Sequence, residues 1–342
     1  MSASPAAAPR ATRASSRADV LLVSLPTTAG WRGAVPALAA AIEKAGVRVA
    51  VASAAPTRAV RTFMLTDLVQ ARAARAAAQA GIAAHRPRAV IYASTTAALL
   101  GPCPGAIWFD SPAAENRPGR HGLWQRPLER RRSARAPLLL PMSDGGLRAL
   151  TPLARTPAVV LPVPVEPSAA HLTPRTERDV AALAYAADAR KKGLDRILAA
   201  WAAARLPGET LLVAGQPAGP LGDGAEGTGL LAPPDYRALL RRAHVFVAAP
   251  RHEDYGIAQL EALADGCRLV TTPGGGPYPA RELARVLDPA LVNEDLAAAI
   301  RAALDAPADD YAARAAVLLA PYRRAAFEAT VAERVLPALL GP

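Results

Sequence analysis

ADVLLVSLPTTAGWRGAVPALAAAIEKAGVRVAVAS, residues 18–53, decides the fold class. Ala18 to Ser24 form a short apolar run, LPTTAGWRG is a turn-rich loop, VPALAAAIEKAG carries apolar residues at helical spacing and stops at Gly46, and VRVAVAS is the next apolar run. Strand, loop, helix and strand in that order start a βαβ unit. Such a unit makes its strands parallel and puts the functional loops at their C-terminal ends, so an α/β fold is expected.

The pattern continues along the chain. An alanine-rich helix over 66–84 leads to the strand RAVIYAS (88–94), then GAIWFDSP (105–112) empties a strand into a polar loop, and PLLLPM (137–142) and AVVLPVPV (158–165) close the half. Pro162, Pro164, Pro167 and Pro174 interrupt any helical period and mark a linker. A second α/β half follows: the strand DVAALAYA, the loop ADARKKG, the helix LDRILAAWAAARL, the strand TLLVAG, a glycine-rich loop over 215–229, the helix DYRALLRRA, the strand HVFVAAP, the helix IAQLEALADG, and RLVTT with the loop PGGG. Residues 309–340 read as helical. The expected layout is a disordered tail (1–18), a Rossmann-like domain (19–165), a linker (166–176), a second Rossmann-like domain (177–320) and a C-terminal helix (321–342) packing back on the first. Two such domains facing one another leave a cleft for a ligand.

Composition excludes several classes. The chain has 342 residues, more than one core usually organises, and 20% of them are charged against 51% hydrophobic, which rules out a disordered chain. Much of that apolar content is alanine, 84 residues against 15 aromatic, so the core is expected to be packed by alanine-rich helices. No apolar run is long enough to span a membrane, and the N-terminus lacks the apolar stretch of a secretion signal. Cys103 and Cys267 are too few for a disulfide framework, which points to a reducing, cytoplasmic setting. The net charge is +11, but only three basic residues are lysines, as a GC-rich coding bias produces. Its distribution is uneven: residues 1–165 hold 21 basic and 7 acidic residues, and 166–342 hold 19 and 22.

HVFVAAPRHEDYGIAQLEALADGCRLVTTPGGG, residues 244–276, carries the chemistry. A buried strand ends at Pro250, a short loop bears Glu253 and Asp254, and a helix begins near Gly256, so its unpaired N–H groups and positive dipole end suit a diphosphate. Glu253 beside that anion would repel it unless sugar hydroxyls occupy the carboxylate, which accepts from them in pairs. Glu261, eight residues on, can reach a second diol such as a ribose. A ligand with hydroxyls at both ends and phosphates between them is implied.

Pro250 to Gly276 resembles the signature of the family 4 glycosyltransferases, the retaining group with the GT-B fold: two glutamates eight apart, Gly256 three after the first, an EALADG helix end, then VTT and a glycine-rich loop. More loosely, YAADARKKGLDRILAAW resembles the family's diphosphate-holding strand, loop and helix, and ADVLLVSLPTTAGWRG its first strand and glycine loop. The resemblance implies a metal-independent transfer of a sugar from a nucleotide sugar to an acceptor hydroxyl, with no cofactor. Glu253 would bind the donor sugar at the reacting face and Glu261 the ribose. Lys192, with Lys191 and Arg190, would hold the diphosphate, the backbone around Gly256 and Ile257 would cradle it, and Tyr255 and Gly275 would line the same site. Gly30 and Gly33 would let the first domain approach the donor.

The chain departs from the family at two points. Ala186 and Ala187 stand where an arginine is usual, which makes a non-catalytic GT-B-like binding or scaffold protein the alternative, and no histidine follows the strand where Asp110 stands. Asp110 is either the base that deprotonates the acceptor or a strand-end turn residue. The GGG of 274–276 is a phosphate loop or a plain turn, and the Lys191–Lys192 pair is a ligand or a helix-leading charge pair.

ENRPGRHGLWQRPLERRRSARAPLLL (115–140) holds seven arginines. Arg117, His121, Arg130, Arg131 and Arg132 are the candidates for the acceptor or membrane side, facing an anionic or lipid-linked acceptor or making peripheral contact with an anionic membrane. A solvated surface helix is the other reading. A nucleic-acid partner is not expected, because no nucleic-acid-binding motif accompanies the charge. A nucleotide-sugar epimerase is a further rival.

Overall fold

The computed structural model describes residues 17–26, 29–58, 60, 62–117, 119–150, 156–276, 278–307 and 310–341. Most of the expected N-terminal tail, residues 1–16, lies outside them. Two sheets organise the chain. In the first, β1 (Val20–Ser24) is followed by α1 (Ala29–Lys44), β2 (Val49–Ser53), α2 (Phe63–His85), β3 (Ala89–Ala93), α3 (Thr95–Leu99), β4 (Ala106–Phe109), α4 (Ala113–Asn116), α5 (Gln125–Ser133), β5 (Leu139–Pro141) and α6 (Asp144–Ala149). The strands pair in parallel in the order β2-β1-β3-β4-β5. β1 and β4 are buried along their whole length, as strands covered by helices on both faces must be.

In the second sheet, β6 (Val180–Tyr185), α7 (Ala189–Lys192), α8 (Leu194–Ala204), β7 (Leu211–Ala214), β8 (Gly219–Gly222), β9 (Ala225–Gly227), α9 (Pro233–Arg242), β10 (Ala243–Ala248), α10 (Ile257–Ala264) and β11 (Arg268–Thr271) give the order β11-β10-β6-β7-β9-β8. The glycine-rich stretch 215–229, expected as a loop, contains the antiparallel β8–β9 pair, with Gly222 and Gly224 at positive φ in its turn. Glycine there bends the chain rather than leaving it unpaired. In both sheets strand order reverses beside the first strand, and the reversal opens a crevice at the strands' C-terminal ends.

The remaining helices are α11 (Pro279–Leu287), α12 (Leu296–Asp305), α13 (Tyr311–Leu318), α14 (Arg324–Thr330) and α15 (Leu336–Leu340), the last two joined by a π-helical turn over Val331–Val335. The chain after Tyr322 returns to the first sheet. Phe327 lies 6.2 Å from the ring of Trp108 in β4, which packs edge-on against Trp31 at 5.4 Å and donates its indole N–H to the Leu161 carbonyl at 2.9 Å. Lys44 pairs with Glu328 at 2.7 Å, and Arg88 donates to the Leu340 carbonyl at 2.8 Å. One buried cluster therefore runs from Trp31 and Trp108 through Phe327, Val331 and Val335 into the second sheet.

Phe327→Ala is expected to cost about 3–5 kcal/mol in urea denaturation, because it empties a buried site that ties α14 to Trp108 of β4. Lys44→Ala breaks only a pair whose lysine is 69% exposed and is expected to cost less than about 1 kcal/mol.

Candidate functional site

The order reversal of the second sheet brings two loops together. The loop after β6 starts with Asp188, whose carboxylate caps α7 by accepting from the Lys191 N–H at 2.9 Å. The turn ends at Gly193, in the left-handed region at φ +67°, where a Cβ would strike the Ala249 carbonyl. The loop after β10 is fastened to it by the Arg251 N–H, which donates to the Lys191 carbonyl at 2.9 Å. Lys191 and Lys192 are thereby aimed at the loop that carries Glu253 and Asp254. Lys192 Nζ is 2.5 Å from Glu253 Oε2, and Lys191 Nζ is 2.7 Å from Asp254 Oδ2. Burial works to lower the Lys191 ammonium, but the Asp254 pair outweighs it and raises its pKa.

Glu253 is clasped from the other side. Its N–H donates to the Gly275 carbonyl at 2.7 Å, Gly275 lies against the Pro250 carbonyl at φ +85°, and a Cβ on Gly276 would come within 2.8 Å of the Glu253 carbonyl. The GGG loop is thus the wall that fixes Glu253, and only glycine permits the approach. Gly256, at φ +81°, is the N-cap of α10, and Ala258 and Gln259 of that first turn line the pocket. Gln259 is 3% exposed and donates from Nε2 to Glu253 Oε2 at 3.1 Å. Lys192 also lies 5.8 Å over the ring of Tyr185, which stacks edge-on with Tyr236. Tyr185, Lys192, Phe246, Ala248, Pro250, Ala258 and Gln259 line the resulting pocket.

A second pocket joins the two sheets. Asp110, at the end of β4, meets His252, Glu253 and Asp254 there, with Ser111, Glu115 and Gly145–Gly146 on the same wall. Asp110 touches the cleft surface, yet protein surrounds its carboxyl from both sides. Burial, seconded by the Asp254 charge, pushes it up to about 6. Burial works to raise Asp254 as well, but hydrogen bonds from His252 (2.8 Å) and Lys191 overcome it and hold that carboxyl below the usual carboxylate range. Two neighbouring acids pushed in opposite directions suit different tasks.

The other residues singled out in the sequence fall unevenly. Glu261 sits in α10, 3.5 Å from Arg237, with its pKa raised by burial. Ile257 is the first residue of α10. Arg190 is exposed, and its carbonyl accepts from Arg251 at 3.1 Å. Tyr255 does not offer its side chain to the cleft: it is 3% exposed and its hydroxyl donates to the Val163 carbonyl at 3.2 Å, pinning the chain that crosses between the sheets. Gly30 and Gly33 lie inside α1 rather than in a loop, because the helix begins at Ala29, and nothing stands within 4 Å of a Cβ built on Gly33. Arg117 grips Asp67 through two bonds of 2.7 and 3.0 Å. Arg132 donates to the Leu99 carbonyl at 3.0 Å, while His121, Arg130 and Arg131 are exposed. None of these five is among the residues that line the pocket at Asp110.

Three contributors escaped sequence reading. Gln259 looks like an ordinary helix residue until α10 turns it inward. His252 acts through Asp254, two residues away. Arg32, exposed in the first turns of α1, comes near enough to Tyr185 that its charge opposes the rise caused by burial, Glu253 and Glu261 in that hydroxyl's pKa. A positive charge from the first domain thus faces the strand end that carries Ala187.

Residues 178–306 match a family model described as glycosyl transferases group 1. Comparison with curated protein sequences finds no match. Among solved structures, the chain resembles sucrose-phosphate synthase from Thermosynechococcus elongatus (TM-score 0.66, 16% identity, covering 91% of this chain and 96% of that one). It also resembles the UDP-forming α,α-trehalose-phosphate synthase from Burkholderia xenovorans in complex with glucose-6-phosphate (0.64, 14%, 91% and 98%) and Anabaena HepE in complex with UDP and glucose (0.57, 13%, 93% and 99%). The fold is GT-B, and residues 178–306 are similar to the glycosyl transferases group 1 domain. Among the described residues no helix is long and apolar enough to cross a membrane.

Two outcomes are expected. Gly193→Ala must place a side chain at positive φ against a carbonyl and should lose at least about 2 kcal/mol in chemical denaturation. Asp110 takes up its proton more readily in the native state, from 3.8 to about 6, so the native protein binds more protons than the unfolded chain in that window. Stability should fall as pH rises from about 4 to about 6, and urea midpoints of Asp110→Asn should lack that fall.

Proposed function

We propose that this protein moves a glycosyl group from a nucleoside-diphosphate sugar to an acceptor hydroxyl, with retained anomeric configuration and no required metal. The observation that carries the proposal is the Lys192–Glu253 pair at the strand-order reversal, beside the N-terminus of α10. Neither partner is placed for stability alone. A diphosphate entering at the helix N-terminus competes for Lys192, and the sugar hydroxyls take up the carboxylate that the lysine leaves. Glu261 then meets the ribose. The residues 177–320 form the donor side, 19–165 the acceptor side, and 321–342 return to the latter.

The anomeric carbon loses its bond to the phosphate oxygen as the acceptor oxygen bonds to it. Charge accumulates on the departing diphosphate, where Lys192, Lys191 and the first N–H groups of α10 already stand, with Arg32 across the cleft supplying the charge that Ala187 lacks. The acceptor proton passes to Asp110, whose pKa near 6 suits a general base at neutral pH. Support for the donor class comes from the UDP of the HepE complex and the UDP-forming trehalose-phosphate synthase. The glucose-6-phosphate held by the latter is an anionic acceptor-like ligand, in keeping with an anionic acceptor here. Exposed Arg130 and Arg131 extend that preference to an anionic membrane surface.

Release of nucleoside diphosphate from UDP- and GDP-sugars is the direct assay. Turnover should fall at least about a hundredfold in Glu253→Ala and in Lys192→Ala, while UDP or GDP still binds Glu253→Ala. Absence of turnover with every donor, unaltered by Glu253→Ala, would establish the non-catalytic alternative. Co-sedimentation with anionic vesicles should exceed that with neutral vesicles and drop in an Arg130→Ala, Arg131→Ala double variant; equal binding to both lipids removes the membrane from the proposal.

A further inference from the structure

Gln259 is a buried polar group at the site that the transfer chemistry leaves unused. Its side-chain amide is divided between two environments. Nε2 donates to Glu253 Oε2 at 3.1 Å, whereas Oε1 is buried and has no hydrogen-bond partner. The orientation of the amide is fixed by chemistry, since turning it over would set its carbonyl against the Glu253 carboxylate. Oε1 stands over Gly256, 3.4 Å from where a Cβ on that glycine would lie, at the cap of α10. Lys192 and Gln259 line the same pocket.

A buried carbonyl oxygen left without a donor costs free energy, and a glutamine in an otherwise alanine- and leucine-rich helix is not needed for packing. It stands at a point in the pocket where a ligand can complete it. We infer that Gln259 is a specificity-determining residue for the donor: Oε1 accepts a hydrogen bond from one hydroxyl of the sugar being transferred, while Nε2 holds the Glu253 carboxylate in place once the diphosphate has drawn Lys192 away. The inference rests on the proposed donor reading. The ligand recognised is a hexose that keeps a hydroxyl at that position, and a sugar deoxygenated there leaves the carbonyl unpaired and is rejected.

The test starts from the sugar nucleotide that binds best among UDP-, GDP-, ADP- and dTDP-hexoses. Its 2-, 3-, 4- and 6-deoxy forms and the free nucleoside diphosphate are then titrated calorimetrically against the wild type, Gln259→Met and Gln259→Leu, each checked for folding by circular dichroism. One deoxy form should bind the wild type about tenfold more weakly than the parent sugar nucleotide. Gln259→Met and Gln259→Leu should erase that difference and leave affinity for the free nucleoside diphosphate within about twofold. A purely structural glutamine would lower both affinities together, and retention of every deoxy penalty in both variants would equally overturn the inference while the donor reading stands. If no hexose nucleotide binds the wild type, the donor reading fails and this one with it.

Discussion

A lysine and a carboxylate 2.5 Å apart, where two βα loops of one sheet meet, organise the ligand side of this molecule. The side chains of Lys192 and Glu253 are 19% and 7% exposed, so each would be costly to leave unpaired there. The protein meets that requirement with close backbone contacts. Gly193 lets the Lys192 turn sit on the Ala249 carbonyl, Gly275 and Gly276 let the opposite loop close on Glu253, and Gln259 supplies a second donor to the same carboxylate oxygen. Three glycines that resemble turn punctuation in the sequence, together with one helix glutamine, are thus the mould of one ion pair.

The arrangement explains how an acidic group can stand at an anion site. In the resting cleft the positive charge of Lys192 is already spent on Glu253, and that of Lys191 on Asp254. In the proposed transfer, an incoming diphosphate sugar would not meet a bare positive hole but paired charges that it can exchange, giving phosphate to the lysines and hydroxyls to the carboxylate. The proposed function thereby favours a ligand bearing both groups, because phosphate alone would take Lys192 from the buried Glu253 carboxylate and leave it only the neutral Gln259 amide.

Much of this was legible in the chain. The βαβ rhythm of residues 18–53 and the apolar strands ending near Asp110 and Pro250 define parallel sheets, and residues 253–261 follow the C-terminal end of a strand in the second. What misled was local. Tyr255, beside Glu253 and Gly256, reads as a ligand contact but points into the core at Val163. Gly30 and Gly33 read as a loop, but their α1 neighbours bury Trp31 against Trp108, and that packing carries the helix back to Ala29. The arginines of 115–140 read as one basic surface, but Arg117 and Arg132 are committed to Asp67 and Leu99, partners 50 and 33 residues away.

By itself the sequence determined the alternation of strands and helices, because burial on both faces and helical spacing are local properties of the chain. It also determined which end of each strand would carry the chemistry, since parallel strands joined by crossovers put those loops on one edge. Only the tertiary structure decided which charges face one another. Asp110 comes from one sheet and Asp254 from the other, 144 positions apart in the chain, and their opposite pKa shifts arise from burial and partners that exist only when the two sheets close on a shared cleft. Electrostatic coupling acts through space over a few ångströms, and no spacing within either half specifies it.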